Sequence, residues 1–205
     1  MARLDRAAVL AGAWAFIEEH GIDALTMRKL ATSLGVNHGT LYWHVENKQG
    51  LTDALADDLL HGVADETGSG AQGSDRLIEL AHRLRSALLS HRDGARVLAG
   101  TFVRQPNTLA FGEAAISAAL AAGAPEAEAV LVAFSVQYYV MGFVIEEQAA
   151  YELARDESRD NGRGPIDATS YPNVSAGLAT LRNTPRDRQF AYGLTRLVTN
   201  TGTPA

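Results

Sequence analysis

The sequence predicts an all-α protein with an N-terminal three-helix helix-turn-helix head and a C-terminal helical core. Apolar residues recur at helical spacing along almost the whole chain, and strand-like alternation does not persist anywhere. Alanine and leucine outnumber valine and isoleucine, a composition that favours helix over sheet. Short helical patterns fill roughly the first 60 residues, as in a helix-turn-helix module.

The composition limits the kinds of function. The chain has 205 residues, of which 46% are apolar and 20% charged, so it can bury a sizeable core. It contains no cysteine, which excludes a disulfide frame, a thiolate zinc site and a cysteine nucleophile. The net charge of −6 argues against a surface coated with basic residues. No apolar run approaches a membrane span and the N-terminus lacks a signal-peptide layout, so we expect a cytoplasmic protein without a membrane partner.

Capping residues mark the helices of the head. A Thr, Asn or Asp side chain before a helix accepts a hydrogen bond from its first turn, and a glycine after the helix permits the left-handed conformation that ends it. The expected caps are Asp5, Thr26, Asn37 and Asn47, and the expected stops are Gly21 and Gly35.

The rest of the chain is predicted to continue as helices separated by loops. Residues 65–74 are rich in Gly and Ser and are linker-like, which fits either a free tether or a loop between packed helices. Residues 155–172 are charged and rich in Gly and Pro, and we expect a mobile loop there. Helices are expected over about 74–90, 106–123, 126–154, 173–183 and 187–200.

The second and third helices have the pattern of a helix-turn-helix pair. The turn 35–37 separates them, and Leu30, Leu34, Leu41 and Val45 provide an apolar inner face. The outer face of the third helix then carries two histidines, a tyrosine and a tryptophan, which are suited to reading bases. By spacing alone, the segment also fits the end of a small helical bundle, with the aromatic rings packed and half-buried.

Several segments of the chain resemble one known family. Leu25–Ala31, Leu34–Val36 and Thr40–Lys48 resemble the DNA-binding head of the TetR family of one-component repressors. The resemblance continues in the body through Ala87–Val97 and Gly142–Gln148, and so covers most of the chain. It implies a homodimeric repressor whose two heads bind a palindromic double-stranded DNA operator and whose body binds a small effector.

The resemblance also assigns parts of the chain to DNA binding. It implies a helix-turn-helix DNA-binding domain over 1–48, a connecting helix over 48–64, and a ligand-binding and dimerisation domain over 65–205. Because Asn37-His38-Gly39 replaces the Glu-Gln-Pro of tetracycline-responsive members, we expect a different operator sequence. The implied DNA-facing residues are Arg28, His38, Gly39, Thr40, Tyr42, Trp43, His44 and Lys48.

The ligand site departs from the tetracycline-responsive members, which hold a magnesium–drug chelate. Leu98 stands at the position of their magnesium-binding histidine, and Leu80 and Tyr138 replace a drug-binding asparagine and a second histidine. Without imidazoles or a carboxylate cluster a hard cation has no cage, so we predict no metal and no other cofactor. The pocket is predicted to be apolar and to bind a hydrophobic, ring-containing effector. Its candidate lining residues are Leu80, Leu84, Leu98, Thr101, Phe102, Phe111, Phe134, Gln137, Tyr138, Met141 and Glu146.

For the leucines of this set, Phe134 and Met141, ordinary core packing explains the pattern equally well. The helices over 126–154 and 187–200 are expected to form a four-helix bundle in the dimer, with Leu194, Leu197 and Val198 on one face. Ligand binding would push the short segment after the fifth helix against the connecting helix, and the change in head separation would release DNA.

Other classes of protein fit the sequence less well. An enzyme would need paired catalytic groups, but Glu146 and Glu147 are adjacent and point about 100° apart on a helix. His91 and Asp93 lack a serine or cysteine partner at a recognisable motif. A family member that uses its ligand as a corepressor, or a non-DNA-binding antirepressor, is the alternative.

Overall fold

A computed structural model describes residues 4–66, 68–99, 101, 104–155 and 166–199. Within these ranges the chain forms ten α-helices and no strand, so the predicted fold class is confirmed. The helices are α1 (Arg6–His20), α2 (Met27–Ser33), α3 (His38–Leu41), α4 (Lys48–Leu59), α5 (Gly73–Leu89), α6 (Gly94–Leu98), α7 (Pro106–Ala121), α8 (Glu126–Arg155), α9 (Pro172–Asn183) and α10 (Arg186–Val198). A 3₁₀ turn, Ile22–Ala24, lies between α1 and α2.

The four predicted caps of the head are all formed. Gly21 and Gly35 follow α1 and α2 with φ angles of 77° and 65°, a left-handed region that glycine occupies without steric cost. The helices of the head therefore begin at the predicted caps, and the predicted glycines follow α1 and α2. Each cap accepts a hydrogen bond of 2.8–3.2 Å from a backbone N–H: Asp5 from Ala8, Thr26 from Lys29, Asn37 from Gly39 and Asn47 from Gly50.

The core of the head joins the helix-turn-helix pair to α1. Leu30 of α2 and Leu41 of α3 are fully buried, and Val45 is nearly so, as predicted. Leu34 is only partly buried and packs against this core. Ile17 of α1 is also fully buried, so α1 and the helix-turn-helix pair share an apolar core that continues into the body.

The segment between α4 and α5 is a loop held against the body rather than a free tether. Arg76 on α5 donates to the carbonyls of Ala64 and Asp65 at 2.7 and 3.1 Å. Arg83, further along α5, donates to the carbonyls of Gly62 and Asp65. The end of the connecting helix is therefore tied directly to the body, although α4 itself ends at Leu59 rather than near residue 64.

The long helix α8 is the central element of the body, and it packs against α5, α7 and α10. Ala133, Val136, Val140 and Val144 are among its buried residues. The expectation that no stretch approaches a membrane span was wrong, because Glu126–Leu153 is long and apolar enough by length and composition, with a mean hydropathy of 1.6. A core helix of a soluble protein passes the same test, and one side of α8 packs on α5, α7 and α10, with 28% of this stretch buried.

The structure of α10 corrects the expectation that its apolar residues form a face for the partner chain. Leu194 and Val198 of α10 are fully buried within the chain, and only Leu197 of the predicted outward face is exposed. The apolar stripe of α10 therefore packs on the body of its own chain. Most of the predicted mobile loop over 155–172 lies outside the described residues.

Candidate DNA-binding face and ligand-binding core

The outer face of α3 and the turn after it are strongly exposed. Leu41 anchors this short helix in the core, whereas Tyr42 is 45% and Trp43 is 87% exposed. Aromatic side chains carry large apolar surfaces and are usually buried for much of their area. The interpretation of Trp43 as a half-buried packing residue is therefore wrong, and this face has the character of a binding surface. Of the other predicted residues, Arg28, His38, Gly39 and Lys48 are exposed, and Thr40 and His44 are half-buried.

His38 and Tyr42 form a pair on this face. They are four residues apart, a spacing that brings two side chains together on one side of a helix. Their ring centroids lie 5.0 Å apart at an interplanar angle of 84°, which is an edge-to-face contact. The Tyr42 hydroxyl lies 3.4 Å from His38 Nε2. Each ring therefore limits the orientation of the other before any partner binds.

Ion pairs at the junction of head and body redistribute the charges of the head. Residues 1–48 carry equal numbers of basic and acidic side chains. Glu18 accepts a hydrogen bond from the backbone N–H of Arg92 at 2.9 Å, and Asp23 accepts two from Arg96 at 2.8 and 2.9 Å. Hydrogen bonding and charge from Arg96 lower the pKa of Asp23. The charge of Asp23 is therefore paired with Arg96 of the body, whereas Arg28 stays exposed near α3 and contributes to the local potential.

A stacked pair of rings joins α1 to the turn before α6. The Trp14 and His91 ring centroids lie 4.1 Å apart at 11°, and His91 Nδ1 lies 3.2 Å from Glu18 Oε1. Trp14 Nε1 donates to Asp58 on α4 at 3.0 Å. The sequence analysis missed the stacking of Trp14 on His91, because these residues are 77 positions apart in the chain and their spacing gives no periodic signal.

Asp57, which the sequence analysis also missed, joins α4 to the start of α7. Its carboxylate is buried and accepts hydrogen bonds from Asn107 and Thr108. The two adjacent acidic residues next to the buried leucines at the end of α4 were a usable signal, because a buried carboxylate needs a dedicated set of donors. Their partners could not be read from the sequence.

Four of the predicted ligand residues are buried on α5, α6 and α7, and α5 packs on both of the other two helices. Leu80, Leu84, Leu98 and Phe111 are each at most 5% exposed. Thr101 is half-buried, and its hydroxyl donates to the carbonyl of Leu98 at 2.6 Å. The four apolar residues belong to the hydrophobic core of the chain, and their role in lining a ligand pocket stays a prediction. Phe102 lies outside the described residues.

The predicted ligand residues on α8 are divided between interior and surface. Phe134, Gln137 and Met141 are half-buried, and the Gln137 amide contacts only the Met141 sulfur, at 3.8 Å, among its described hydrogen-bond partners. Tyr138 is 58% exposed and Glu146 is also exposed, so a single chain does not bring them into the apolar interior. The prediction that they line the ligand pocket of the dimer stays a prediction.

A large surface groove of about 1630 Å³ runs between the end of α1, the start of α6 and the second half of α8. Its charged side chains are bonded to one another, as in the contact of Arg92 with Glu152 at 2.9 Å. His91 and Asp93 lie in it, but Asp93 accepts from the backbone N–H of Ile22 and from Arg96. The described residues contain no group of three or more His, Cys, Asp or Glu side chains that could hold a metal ion.

A capped helix-turn-helix head, joined by one helix to an all-helical body, is the architecture of a helix-turn-helix regulatory protein. Residues 9–55 match the family model of bacterial regulatory proteins of the tetR family, and residues 68–199 match that of the tetracyclin repressor-like C-terminal domain. The chain is 40% identical over 204 residues to the class G tetracycline repressor protein of Vibrio anguillarum, covering 97% of this chain and 93% of that protein. The chain therefore belongs to the TetR family.

Two solved structures of similar proteins contain a partner. BioQ with its natural double-stranded DNA operator has a TM-score of 0.74 and 31% identity, covering 98% of this chain and 100% of that one. A TetR variant from Acinetobacter baumannii AYE in complex with minocycline has a TM-score of 0.73 and 35% identity, covering 97% and 96%.

Proposed function

We propose that this protein is a ligand-responsive transcriptional repressor that binds a palindromic DNA operator as a homodimer. The observation that carries the proposal is the exposed aromatic and imidazole face of α3, held on a fully capped helix-turn-helix. Its relatives support both activities, since one similar structure holds operator DNA and another a small molecule. We place the protein in the cytoplasm, where such a repressor acts.

In the proposed complex α3 lies in the major groove. His38 and Tyr42 face base edges, where His38 donates to guanine or accepts from the amino group of adenine. Thr40, His44 and Lys48 bind bases or phosphates and fix the position of the helix. Because a histidine cannot reproduce the bidentate contact of a glutamine, the operator differs from that of the tetracycline-responsive members. Arg28, Gly39 and Trp43 complete the proposed DNA-facing set.

The proposed dimer buries the exposed apolar face of α8. Leu131 is 63% exposed, and Tyr138 lies seven residues later on the same side of the helix. Leu197 of α10 is exposed as well. Large apolar groups on one surface mark an interface, and a two-fold dimer uses the same surface on both chains. Tyr138 and Glu146 would then reach a ligand pocket across the interface rather than within one chain.

We propose that the effector is a hydrophobic, ring-containing molecule that binds without magnesium. Leu80, Leu84, Leu98 and Phe111 supply the apolar lining, and Thr101 and Gln137 supply the few polar groups that orient a ligand. Phe102, Phe134 and Met141 complete the proposed lining. An apolar lining of this kind offers no oxygen cage for a hard cation.

Ligand and DNA are proposed to compete through α6. This helix packs on both α4 and α8, so it connects the body to the connecting helix. A ligand that displaces α6 moves α4 and changes the separation of the two heads. The two heads can then no longer bind both half-sites of the operator at once. Because coupling free energy is reciprocal, DNA must weaken ligand binding by the same factor. The proposed domains are 1–48 for DNA binding, 48–64 as connector and 65–205 for ligand binding and dimerisation.

The proposal is tested by selection from random double-stranded DNA, followed by binding measurements on the selected duplex. Tyr42→Ala should abolish operator binding and leave the melting temperature nearly unchanged, because the ring is exposed. Tyr171→Ala is the matched control, since it removes a similarly exposed ring from the body. Full binding by the Tyr42 variant, or no selected sequence, would contradict DNA recognition through α3.

The effector class is tested on the same duplex by release from DNA. A panel of apolar ring compounds is expected to contain releasing ligands whose effect does not change with magnesium. Tetracycline binding that magnesium strengthens would contradict the proposed pocket. If a compound is instead required for operator binding, the protein uses its ligand as a corepressor, which is the second candidate function.

A further inference from the structure

Two neighbouring carboxylates connect the last turn of α4 to other parts of the chain. Asp57 binds the body, and Asp58 binds the head. We propose that Asp57 is a positioning residue that couples the start of α7, next to the proposed ligand pocket, to the DNA-binding head. This inference rests on the proposed function, because coupling has a meaning only if the head binds DNA and the body responds to a ligand.

The contacts of Asp57 are numerous for one side chain. The residue is 8% exposed, and its Oδ1 accepts from the backbone N–H and the hydroxyl of Thr108, each at 2.9 Å. Asn107 Nδ2 donates to Asp57 Oδ2 at 3.0 Å and to the Asp57 backbone carbonyl at 3.1 Å. Every donor comes from the first turn of α7, about 50 positions away in the chain, so this carboxylate connects two distant elements.

Asp57 supplies the cap that α7 lacks in its own sequence. The residue before α7, Gln105, makes no side-chain capping bond, and Pro106 occupies the first position. Thr108 is the third residue of α7, whose N–H has no partner inside the helix and is normally satisfied by a local cap. A carboxylate at a helix N-terminus is also favoured by the helix dipole. The first turn of α7 therefore depends on α4 for its hydrogen bonds.

Asp58 makes the opposite connection. It accepts from Trp14 Nε1 on α1 at 3.0 Å, and adjacent residues of a helix point about 100° apart. The last turn of α4 is thus bonded to the body on one side and to the head on another. The start of α4, about 17 Å away by helical rise, directly follows α3. Phe111, in the proposed pocket, is one turn beyond Thr108, so a ligand that moves α7 moves α4 through Asp57.

Operator DNA is a sufficient probe of this coupling, because the effect of one site on the other is reciprocal. Hydrogen exchange of the α7 peptide over 109–115 is measured with and without an operator duplex selected by the unchanged protein. DNA should change exchange in this peptide by about fivefold or more. In Asp57→Asn the DNA-induced change in α7 should shrink severalfold, because an amide nitrogen cannot accept from Asn107 Nδ2, whereas the change in α3 and α4 remains.

Asp53→Asn is the matched control, since it removes the same charge from the same helix. Asp53 accepts from Gln49 Nε2 within α4 at 2.8 Å, and this variant should keep the full response in α7. Should Asp57→Asn fail to fold, Thr108→Val removes one donor but keeps the backbone N–H, and should reduce the response in part.

An α7 response in Asp57→Asn equal to that of the unchanged protein would overturn the coupling role. So would the absence of any α7 response to DNA in the unchanged protein. Failure to select any DNA sequence would instead overturn the proposed function, and the coupling with it. The three results are distinguishable in one series of measurements.

Discussion

The head and the body of this protein begin their helices differently. In the head, α1 to α4 each start with a side-chain cap from the adjacent residue, whereas α5, α6, α7, α9 and α10 start without one. The body also leaves large apolar side chains at its surface, such as Leu131 and Tyr138. The helix starts of the head are therefore fixed by local hydrogen bonds, and those of the body by contacts between helices and, as we propose, between chains.

Breaking the proposed contact between chains should give the largest effect. Leu131→Arg should convert the dimer to monomers, as measured by sedimentation. Operator affinity should then fall by about a hundredfold or more, because each head must bind its half-site alone. The melting temperature of the monomeric chain should change little from this substitution itself, since the side chain is mostly exposed.

Leu109→Arg is the control for this prediction. Leu109 is 56% exposed but lies on α7, away from the proposed interface on α8. It should leave both the oligomeric state and the operator affinity unchanged. A dimer that survives Leu131→Arg would show that the exposed face of α8 is not the interface.

The same contrast explains how much of the structure could be predicted from the sequence. The starts of α1 to α4 were predictable because Asp5, Thr26, Asn37 and Asn47 bond to residues two or three positions away. The same local pattern predicted the buried anchor Leu41 and hence the outward face of α3. These are short-range consequences of residue type.

The packing of the body was harder to predict, because it depends on contacts between residues that are far apart in the sequence. Both faces of α8 and α10 carry apolar side chains, so periodicity could not tell which side the chain itself covers. Leu194 and Val198 proved to be buried in the chain, whereas Tyr138 is exposed. The bonds of Asp57 and Asp58 span 44 to 51 positions, and no spacing rule links such residues.

Replacing the residue that precedes a helix should have a moderate effect in the head and almost none in the body. Asn47→Ala removes the acceptor for the Gly50 N–H at 2.9 Å and should lower the free energy of unfolding by about 1 kcal/mol. Gln105→Ala, at the start of α7, should leave it unchanged because that residue makes no side-chain capping bond. Urea denaturation of both variants measures the difference. Equal losses would contradict the distinction drawn between the two regions.

The smallest effect is expected where head and body meet, at the exposed ion pair of Asp23 with Arg96. Arg96 lowers the pKa of Asp23 below its ordinary value of 3.8 in the folded protein. A lowered acid pKa stabilises the fold above that ordinary value, and the contribution is lost as the pH falls through the folded pKa. Asp23→Asn should therefore be slightly less stable than the unchanged protein at neutral pH, and the gap should close below pH 3.8. High salt should also narrow the gap at neutral pH, because the pair is open to solvent. A gap that is independent of pH would contradict this prediction, because both the hydrogen bonds and the charge of Arg96 favour the ionised form of Asp23.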